Sequence, residues 1–287
     1  MNIAVIGLGL IGASFCKAIK ARTEHTCYGM DTNGQSVEKA LADGSIDFAI
    51  TNENIHLLSV MDITIIGLHP RTAIQFVLDN LQHFSKGSIV TDTCGIKTSI
   101  VDALEDKLQS RGVHFVGAHP MAGREFSGYD YSLATLFDGA SFIVTPTQNT
   151  DSKALETVTE LARRIGFGKI ATATPEKHDR IIAYTSQLAH VVSNAYVKSE
   201  TLLERSGFSA GSFLDLTRVA RLNEHMWTEL FMDNKAPLLQ EIDTILANIK
   251  AYRDALANGD EATLKDLLRV GRELKEESMK HDVNKRK

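Results

Sequence analysis

The chain has 287 residues, enough for two domains or one large one, and its 43% apolar and 23% charged residues are those of an ordinary soluble globular protein. A net charge of −5, with a basic block only at Lys285-Arg-Lys287, argues against nucleic acid or an anionic membrane as the main partner. Cys16, Cys27 and Cys94 are odd in number and lack Cys-x-x-Cys spacing, which suggests neither a disulfide framework nor a zinc site. No apolar run approaches the roughly eighteen residues of a membrane span. No charged n-region and apolar h-region stand ahead of the first strand, so no signal peptide is expected. The expectation is a reduced, cytoplasmic protein.

Met1-Asn-Ile-Ala-Val-Ile6 is a short apolar run rich in β-branched residues, suited to a strand buried on both faces. Gly7-Leu-Gly-Leu-Ile-Gly12 follows at once, and a helical pattern from Ala13 to Lys20 follows that. Gly-x-Gly-x-x-Gly alone is a weak signal; strand, motif and helix in this order make it a dinucleotide fingerprint. Gly7 makes the tight turn, Gly9 lets backbone approach a pyrophosphate, and Gly12 lets helix and strand pack closely. The helix start, with Leu10 and Ile11 between the second and third glycines, offers free N–H groups and partial positive charge to the phosphates. A second strand, Thr26-Cys-Tyr-Gly-Met30, ends at Asp31. A carboxylate there accepts from a ribose diol and repels a 2′-phosphate, so NAD is expected over NADP.

Helical and strand patterns then alternate. Val37 to Ala42 reads as helix, Asp62 to Gly67 as strand, Arg71 to Asn80 as helix, Ser88 to Asp92 as strand, Thr98 to Arg111 as helix, and Val113 to Val116 as strand. This predicts an α/β fold, a Rossmann-type doubly wound parallel sheet with right-handed crossovers. Leu68-His-Pro70 and Thr93-Cys-Gly-Ile-Lys97 each follow a strand, on the edge that carries the glycine loop, and Lys97 is either solvated or placed to meet an anion there.

The stretch from Gly117 to Gly128, Gly-Ala-His-Pro-Met-Ala-Gly-Arg-Glu-Phe-Ser-Gly, also follows a strand, where ligands of open α/β sheets bind. Its three glycines and one proline predict loop rather than helix or strand. His119 precedes Pro120, whose ring drives the residue before it into extended geometry and limits where the imidazole points.

Ser141 to Thr145 and Lys169 to Thr172 read as further strands around a helix from Ser152 to Ile165. Nothing strand-like follows Thr174-Pro175. Glu176 to Glu204 reads as one long helical stretch, and Ser209 to Leu222, Glu224 to Met232, Pro237 to Ala257 and Glu261 to Lys280 as four more helices. The predicted domains are 1-170, binding the dinucleotide, and 171-287, all-helical. On the long helix, Ser186, His190 and Asn194 recur every fourth residue with Gln187 beside them, a polar stripe on an otherwise apolar helix. Such groups either satisfy one another and their neighbours or line a wet cavity. Arg218 in Phe213-Leu-Asp-Leu-Thr-Arg-Val-Ala-Arg221 is another anomaly, surrounded by apolar residues. A substrate carboxylate or Asp215 would be its partner.

Together Gly7-x-Gly-x-x-Gly12 with Asp31, Gly117-Ala-His-Pro-Met-Ala-Gly123, the stretch His178 to His190, and Phe213-Leu-Asp-Leu-Thr-Arg218 resemble the prephenate/arogenate dehydrogenase family of tyrosine biosynthesis, over about residues 1 to 250. The resemblance implies an N-terminal Rossmann domain and a helical C-terminal domain through which the protein dimerises. It implies that His119 is the catalytic histidine on the substrate's ring hydroxyl, that His190 and Arg218 lie in the substrate pocket, and that Trp227 lies near it. It implies tyrosine as a possible feedback inhibitor. Many members have a serine in an Asp-x-Gly-Ser-x-Lys loop; here Asp92-Thr-Cys-Gly-Ile-Lys97 puts Gly95 at that position. Gln187 stands where relatives often have histidine. The implied reaction is NAD-dependent oxidative decarboxylation of prephenate to 4-hydroxyphenylpyruvate, or the same chemistry on arogenate, which the sequence does not separate. Another two-domain dehydrogenase of 3-hydroxy acids, an imine reductase, and a non-catalytic dinucleotide sensor are the alternatives.

Overall fold

A computed structural model describes residues 1–284, with side chains through Lys280. Six strands, β1 (Asn2–Ile6), β2 (Thr26–Met30), β3 (Phe48–Ala49), β4 (Ile63–Ile66), β5 (Ile89–Asp92) and β6 (His114–Val116), form a wholly parallel sheet in the order β3-β2-β1-β4-β5-β6. The crossovers carry α1 (Leu10–Arg22), α2 (Gly34–Ala42), α3 (Pro70–Asp79) and α4 (Thr98–Gln109). Sheet order reverses between β1 and β4, and the crevice beyond their carboxyl ends is where such folds bind ligands.

Alternation along each strand divides the core. Ile3 and Val5 point into one apolar cluster with Leu8, Phe15 and Phe137, and Ala4 and Ile6 into another with Ile66, Val90 and Leu104. Each large side chain so buried contributes about 1.5–3 kcal/mol. Burial on both faces explains why β1, β4 and β5 read as continuous apolar runs.

Three further strands follow; two lie where strands were predicted and the first does not. The predicted loop after Gly117 is in part strand β7 (Ala118–Met121), antiparallel to β8 (Ser141–Val144), which pairs in parallel with β9 (Lys169–Thr172). They form a separate three-stranded sheet, β7-β8-β9, rather than extending the first. Pro120 is compatible with β7 because that strand is an edge, where a missing N–H is tolerated. Gly117 permits the turn between the sheets: a Cβ there would sit 2.5 Å from the Thr145 hydroxyl. Met121 ends the strand, and the rest of the glycine-rich stretch to Gly128 is irregular, as predicted.

Helix α5 (Ser152–Arg164), capped by Asp151, joins β8 to β9. The predicted single helix from Glu176 to Glu204 is broken. Thr174 caps α6 (Pro175–Ile182), a π-helical turn spans Ala183–Gln187, and α7 (Leu188–Tyr196) ends eight residues early, followed by a 3-10 segment, Glu200–Glu204. π turns insert a residue into the helical repeat and re-aim the side chains beyond. The region continues through α8 (Gly211–Thr217), a 3-10 turn at Arg218–Ala220, and α9 (Glu224–Asp233), whose Asn223 cap accepts from Met226 N. Residues Met1–Lys235 form one compact unit.

A second unit begins at Ala236 and holds most of α10 (Lys235–Ala257) and α11 (Glu261–Asn284). These helices make a hairpin: Gly259 takes the left-handed φ of 63°, Asp260 accepts from Thr263 N, and the Tyr252 hydroxyl donates to Leu267 O. The basic end, Lys285 to Lys287, lies outside the described residues. No helix among the described residues is long and apolar enough to cross a membrane.

Candidate active site

The glycine loop is built as its spacing requires. Gly7 adopts φ 93°, donates to Met30 O, and has no room for a Cβ, which would lie 2.6 Å from Gly67 O. A Cβ on Gly12 would drive into the carbonyl of Gly7. Gly9 is the opposite: it caps α1 without a side chain, and a Cβ there would meet nothing within 4 Å. Open space at the N-terminus of a thirteen-residue helix, beside Leu10 and Ile11, fits a pyrophosphate. Asp31 stands at the end of β2 and is fixed in place, accepting from Leu8 N at 2.6 Å and Asn33 N at 2.7 Å. Those bonds leave each oxygen a further lone pair for a ribose hydroxyl. These residues fit a dinucleotide.

Lys97, for which an anion was one expectation, has its anion within the chain. It is fully buried, paired with Asp92 and donating to Ala118 O at 2.6 Å. Asp92 also accepts from Cys94 N and Ala118 N. This buried pair clamps the loop after β5 to the start of β7, and so sets His119 against Gly95. A Cβ built on Gly95 would lie 3.9 Å from His119 Nε2.

On its other side, His119 Nδ1 is 2.9 Å from His178 Nε2, and His178 Nδ1 is 2.7 Å from Asp179 Oδ1. Asp179 further accepts from Lys97 N and Thr98 N, at 2.7 and 2.8 Å, at the start of α4. Burial, His178 and Lys97 together hold His119 well below the ordinary imidazole value, so it is neutral near pH 7. Burial also lowers His178, against the pull of Asp179. Burial opposes ionisation of Asp179, but hydrogen bonds from His178 and Thr98 outweigh it and hold the carboxyl below its usual range. A neutral imidazole with one free nitrogen facing the crevice is equipped to accept a proton.

The helices supply the other predicted residues. His190 on α7 has Nδ1 2.9 Å from Ser186 O and stacks on Trp227 of α9, ring centroids 3.8 Å apart. Burial and the Arg218 cation lower its pKa. Asn194 donates to Ala220 O, so much of the polar stripe is satisfied by neighbours. Gln187 is buried with both ends of its amide used: Nε2 donates to Leu230 O and Oε1 accepts from Asn234. Leu230 in turn lies 3.7 Å from the Gly95 Cβ position. Arg218 is not enclosed by its apolar neighbours; its side chain is 62% exposed, and its ion-pair partner at 3.6 Å is Glu125, not Asp215.

His178 and Asp179 carry no role in the sequence reading, although the matching stretch begins at His178. A cleft of about 550 Å³ bordered by Met1, His25, Glu156 and Arg164 opens at the amino ends of the strands, the wrong edge for the glycine loop. The three cysteines are free and buried.

A dinucleotide cradle and a neutral, half-buried imidazole on one sheet edge define a dinucleotide-dependent dehydrogenase. Residues 15–170 match the prephenate dehydrogenase nucleotide-binding domain, and residues 174–270 the prephenate dehydrogenase dimerization domain. The chain belongs to the prephenate dehydrogenase family. It is 30% identical over 267 residues, 90% of this chain and 89% of the other, to cyclohexadienyl dehydrogenase of Zymomonas mobilis. A crystal structure of A. aeolicus prephenate dehydrogenase with hydroxyphenyl propionate and NAD+ is similar at a TM-score of 0.85 and 30% identity, over 98% of each chain. Synechocystis arogenate dehydrogenase is similar at a TM-score of 0.80 and 26% identity, covering 97% of this chain and 100% of that one.

Proposed function

We propose that this chain is an NAD-dependent prephenate dehydrogenase that converts prephenate to 4-hydroxyphenylpyruvate and carbon dioxide in tyrosine biosynthesis. The observation that carries the reading is His119: a neutral imidazole whose Nε2 faces Gly95 at the edge that holds the dinucleotide cradle. Bound NAD supplies the acceptor for the hydride that leaves the ring carbon. Gly7, Gly9, Leu10, Ile11 and Gly12 hold its phosphates and Asp31 its ribose. His119 Nε2 takes the proton of the hydroxyl on that carbon. As the ring carboxylate departs as carbon dioxide, its electron pair aromatises the ring and the proton returns to the same oxygen. Atoms and charge balance, and His119 ends as it began.

The helical residues 171–287 form the substrate and dimerisation domain in this proposal. Arg218 binds a substrate carboxylate with a fork that only one exposed carboxylate engages in the free protein. His190, held against Trp227, lines the same pocket, and Gln187 supports its wall through Leu230. Gly95 gives the hydroxyl room and no second side-chain contact. A homodimer is supported by the matched dimerization domain and by Leu203 and Phe208, 90% and 92% exposed. A cytoplasmic location and feedback inhibition by tyrosine complete the proposal.

The test is turnover of purified protein with prephenate and with arogenate, each with NAD and NADP, scored by reduced cofactor and by product. The expected result is 4-hydroxyphenylpyruvate from prephenate, faster with NAD. Tyrosine formed faster from arogenate would move the reading to the arogenate reaction, which the likeness to the Synechocystis enzyme favours. No turnover of either substrate would overturn it.

A further inference from the structure

We propose that His178 and Asp179 are positioning residues that lock His119 in its Nδ1–H tautomer and keep the Nε2 lone pair turned toward Gly95. This rests on the reading of His119 as the group that handles the hydroxyl proton. Asp179 fixes the hydrogen positions by exclusion. Its Oδ1 lies 2.7 Å from Lys97 N and its Oδ2 2.8 Å from Thr98 N, and a backbone N–H only donates. Both oxygens therefore accept, which favours the ionised carboxylate, and His178 Nδ1, 2.7 Å from Oδ1, must carry the hydrogen. A neutral imidazole has one N–H, so His178 Nε2 is an acceptor. His119 Nδ1, 2.9 Å away, must then be the donor, and its own Nε2 keeps the lone pair.

Burial keeps both rings neutral, as the lowered values of His119 and His178 require. The arrangement is anchored in rigid structure. Lys97 N and Thr98 N stand at the N-cap and first residue of α4, and Asn234 donates to Asp179 O at 2.9 Å. The side chain of Lys97 is itself clamped on Asp92. The role is heavier in this chain because Gly95 offers no hydroxyl in front of the ring, so His119 is oriented from behind. When Nε2 accepts the hydroxyl proton, the imidazolium has His178 Nε2 and the Asp179 carboxylate behind it. These stabilise the charge, and no proton need move past His119.

The first measurement uses the full-length protein labelled with 15N-histidine, NAD present, with His119 assigned by loss of its signals in His119→Asn. Two-bond 1H–15N spectra near pH 7.5 should show His119 protonated at Nδ1. An Nε2–H form would overturn the proposal whether or not the protein turns over substrate. Absence of turnover beside an Nδ1–H ring would sink only the functional reading.

The second measurement compares two substitutions. In His178→Gln the amide reaches the place of Nε2 and can still accept from His119. In His178→Asn it reaches the place of Nδ1, keeping Asp179 and losing His119. We expect His178→Asn to lower kcat roughly 30- to 100-fold with KM and NAD affinity within about threefold, and His178→Gln to stay within about tenfold of the native enzyme. Equal kcat in the two variants, or a change confined to KM, would overturn the proposal. Should either fail to fold, the tautomer of the native protein decides.

Discussion

Gly9 separates cofactor binding from folding, and Gly9→Ala makes that separable by experiment. A methyl group at Gly9 would meet no atom within 4 Å, and the residue has φ −74° and ψ −164°, open to any L-residue. Alanine there lowers the entropy of the unfolded chain, a gain of about 0.4–1 kcal/mol. It is a poorer N-cap than glycine by a similar amount, so the two offset within about 0.5 kcal/mol. The same methyl occupies the space a pyrophosphate needs. Loss of that close approach should weaken NAD by roughly 10- to 100-fold, or about 1.4–2.8 kcal/mol. Thermal unfolding with and without NAD reads both. At NAD near 100 times its Kd the native protein gains about 2.7 kcal/mol, a shift of several degrees. Gly9→Ala should melt with the native protein when NAD is absent and lose about half or more of that shift when it is present. Gly12→Ala is the control. Its Cβ collides with the backbone of Gly7, and overpacking of that kind costs about 1–3 kcal/mol before any cofactor is added. A Gly9→Ala protein that keeps the full NAD shift, or that melts as early as Gly12→Ala, refutes the reasoning.

His119→Asn should lower kcat by roughly 100-fold or more, with substrate and NAD affinity within a few-fold in steady-state kinetics. The native acid limb of kcat should fall below the ordinary imidazole value of about 6.5, because burial, His178 and Lys97 hold His119 down, and the limb should vanish in the variant. The same depression makes the unfolded chain take the proton first. The stability His119 contributes is therefore complete above about pH 6.5 and lost as pH falls toward its folded value, which chemical denaturation of the native protein and the variant at pH 5 and 7.5 would detect. Arg218→Ala should raise KM about tenfold or more and leave NAD binding and melting nearly unchanged, since its exposed pair with Glu125 contributes little; an earlier melt with unchanged KM would make the residue structural. Light scattering at micromolar concentration should give the mass of two chains, and a monomer would contradict the dimer.

Much of the Rossmann part was legible because its signals are local. β2 begins and ends where its pattern says, and β1, β4 and β5 agree with theirs to within a residue or so at each end. Strands buried on both faces cannot hide their composition, and a glycine motif between strand and helix has few other uses. The two-residue β3 was missed because Phe48–Ala49 has no period to read. β7 was missed for a different reason. Glycine and proline forecast a turn from local preference, but whether Ala118–Met121 pairs depends on β8, twenty residues later, and on a clearance at Gly117 that only the Thr145 hydroxyl reveals. The break at Ala183–Gln187 is similar, since apolar spacing alone does not distinguish a π turn from an α turn over five residues.

Around the candidate site, residues with an unusual neighbour in sequence stand out to a reader of the chain, and residues with an unusual neighbour only in space do not. Lys97 was noticed as a cation at a strand end, yet Asp92, its partner, looked like the end of a strand. Arg218 drew attention through apolar neighbours that turn out not to enclose it, because the chain leaves α8 for a 3-10 turn there and its guanidinium swings out to Glu125. His178 and Asp179 sit near the start of a helix that Thr174 and Pro175 already explain, where an acidic residue usually needs nothing beyond the helix dipole. What sets Asp179 apart is that it serves the N-terminus of a different helix: α4, some eighty residues earlier, lends it two backbone donors. That long-range cap makes the carboxylate an obligate acceptor, and from there the hydrogen positions follow one by one to His119. A catalytic histidine can be suspected from the loop it sits near. Which of its nitrogens is free depends on the donors at the far end of the chain of bonds, and those are set by the packing of α6 against α4.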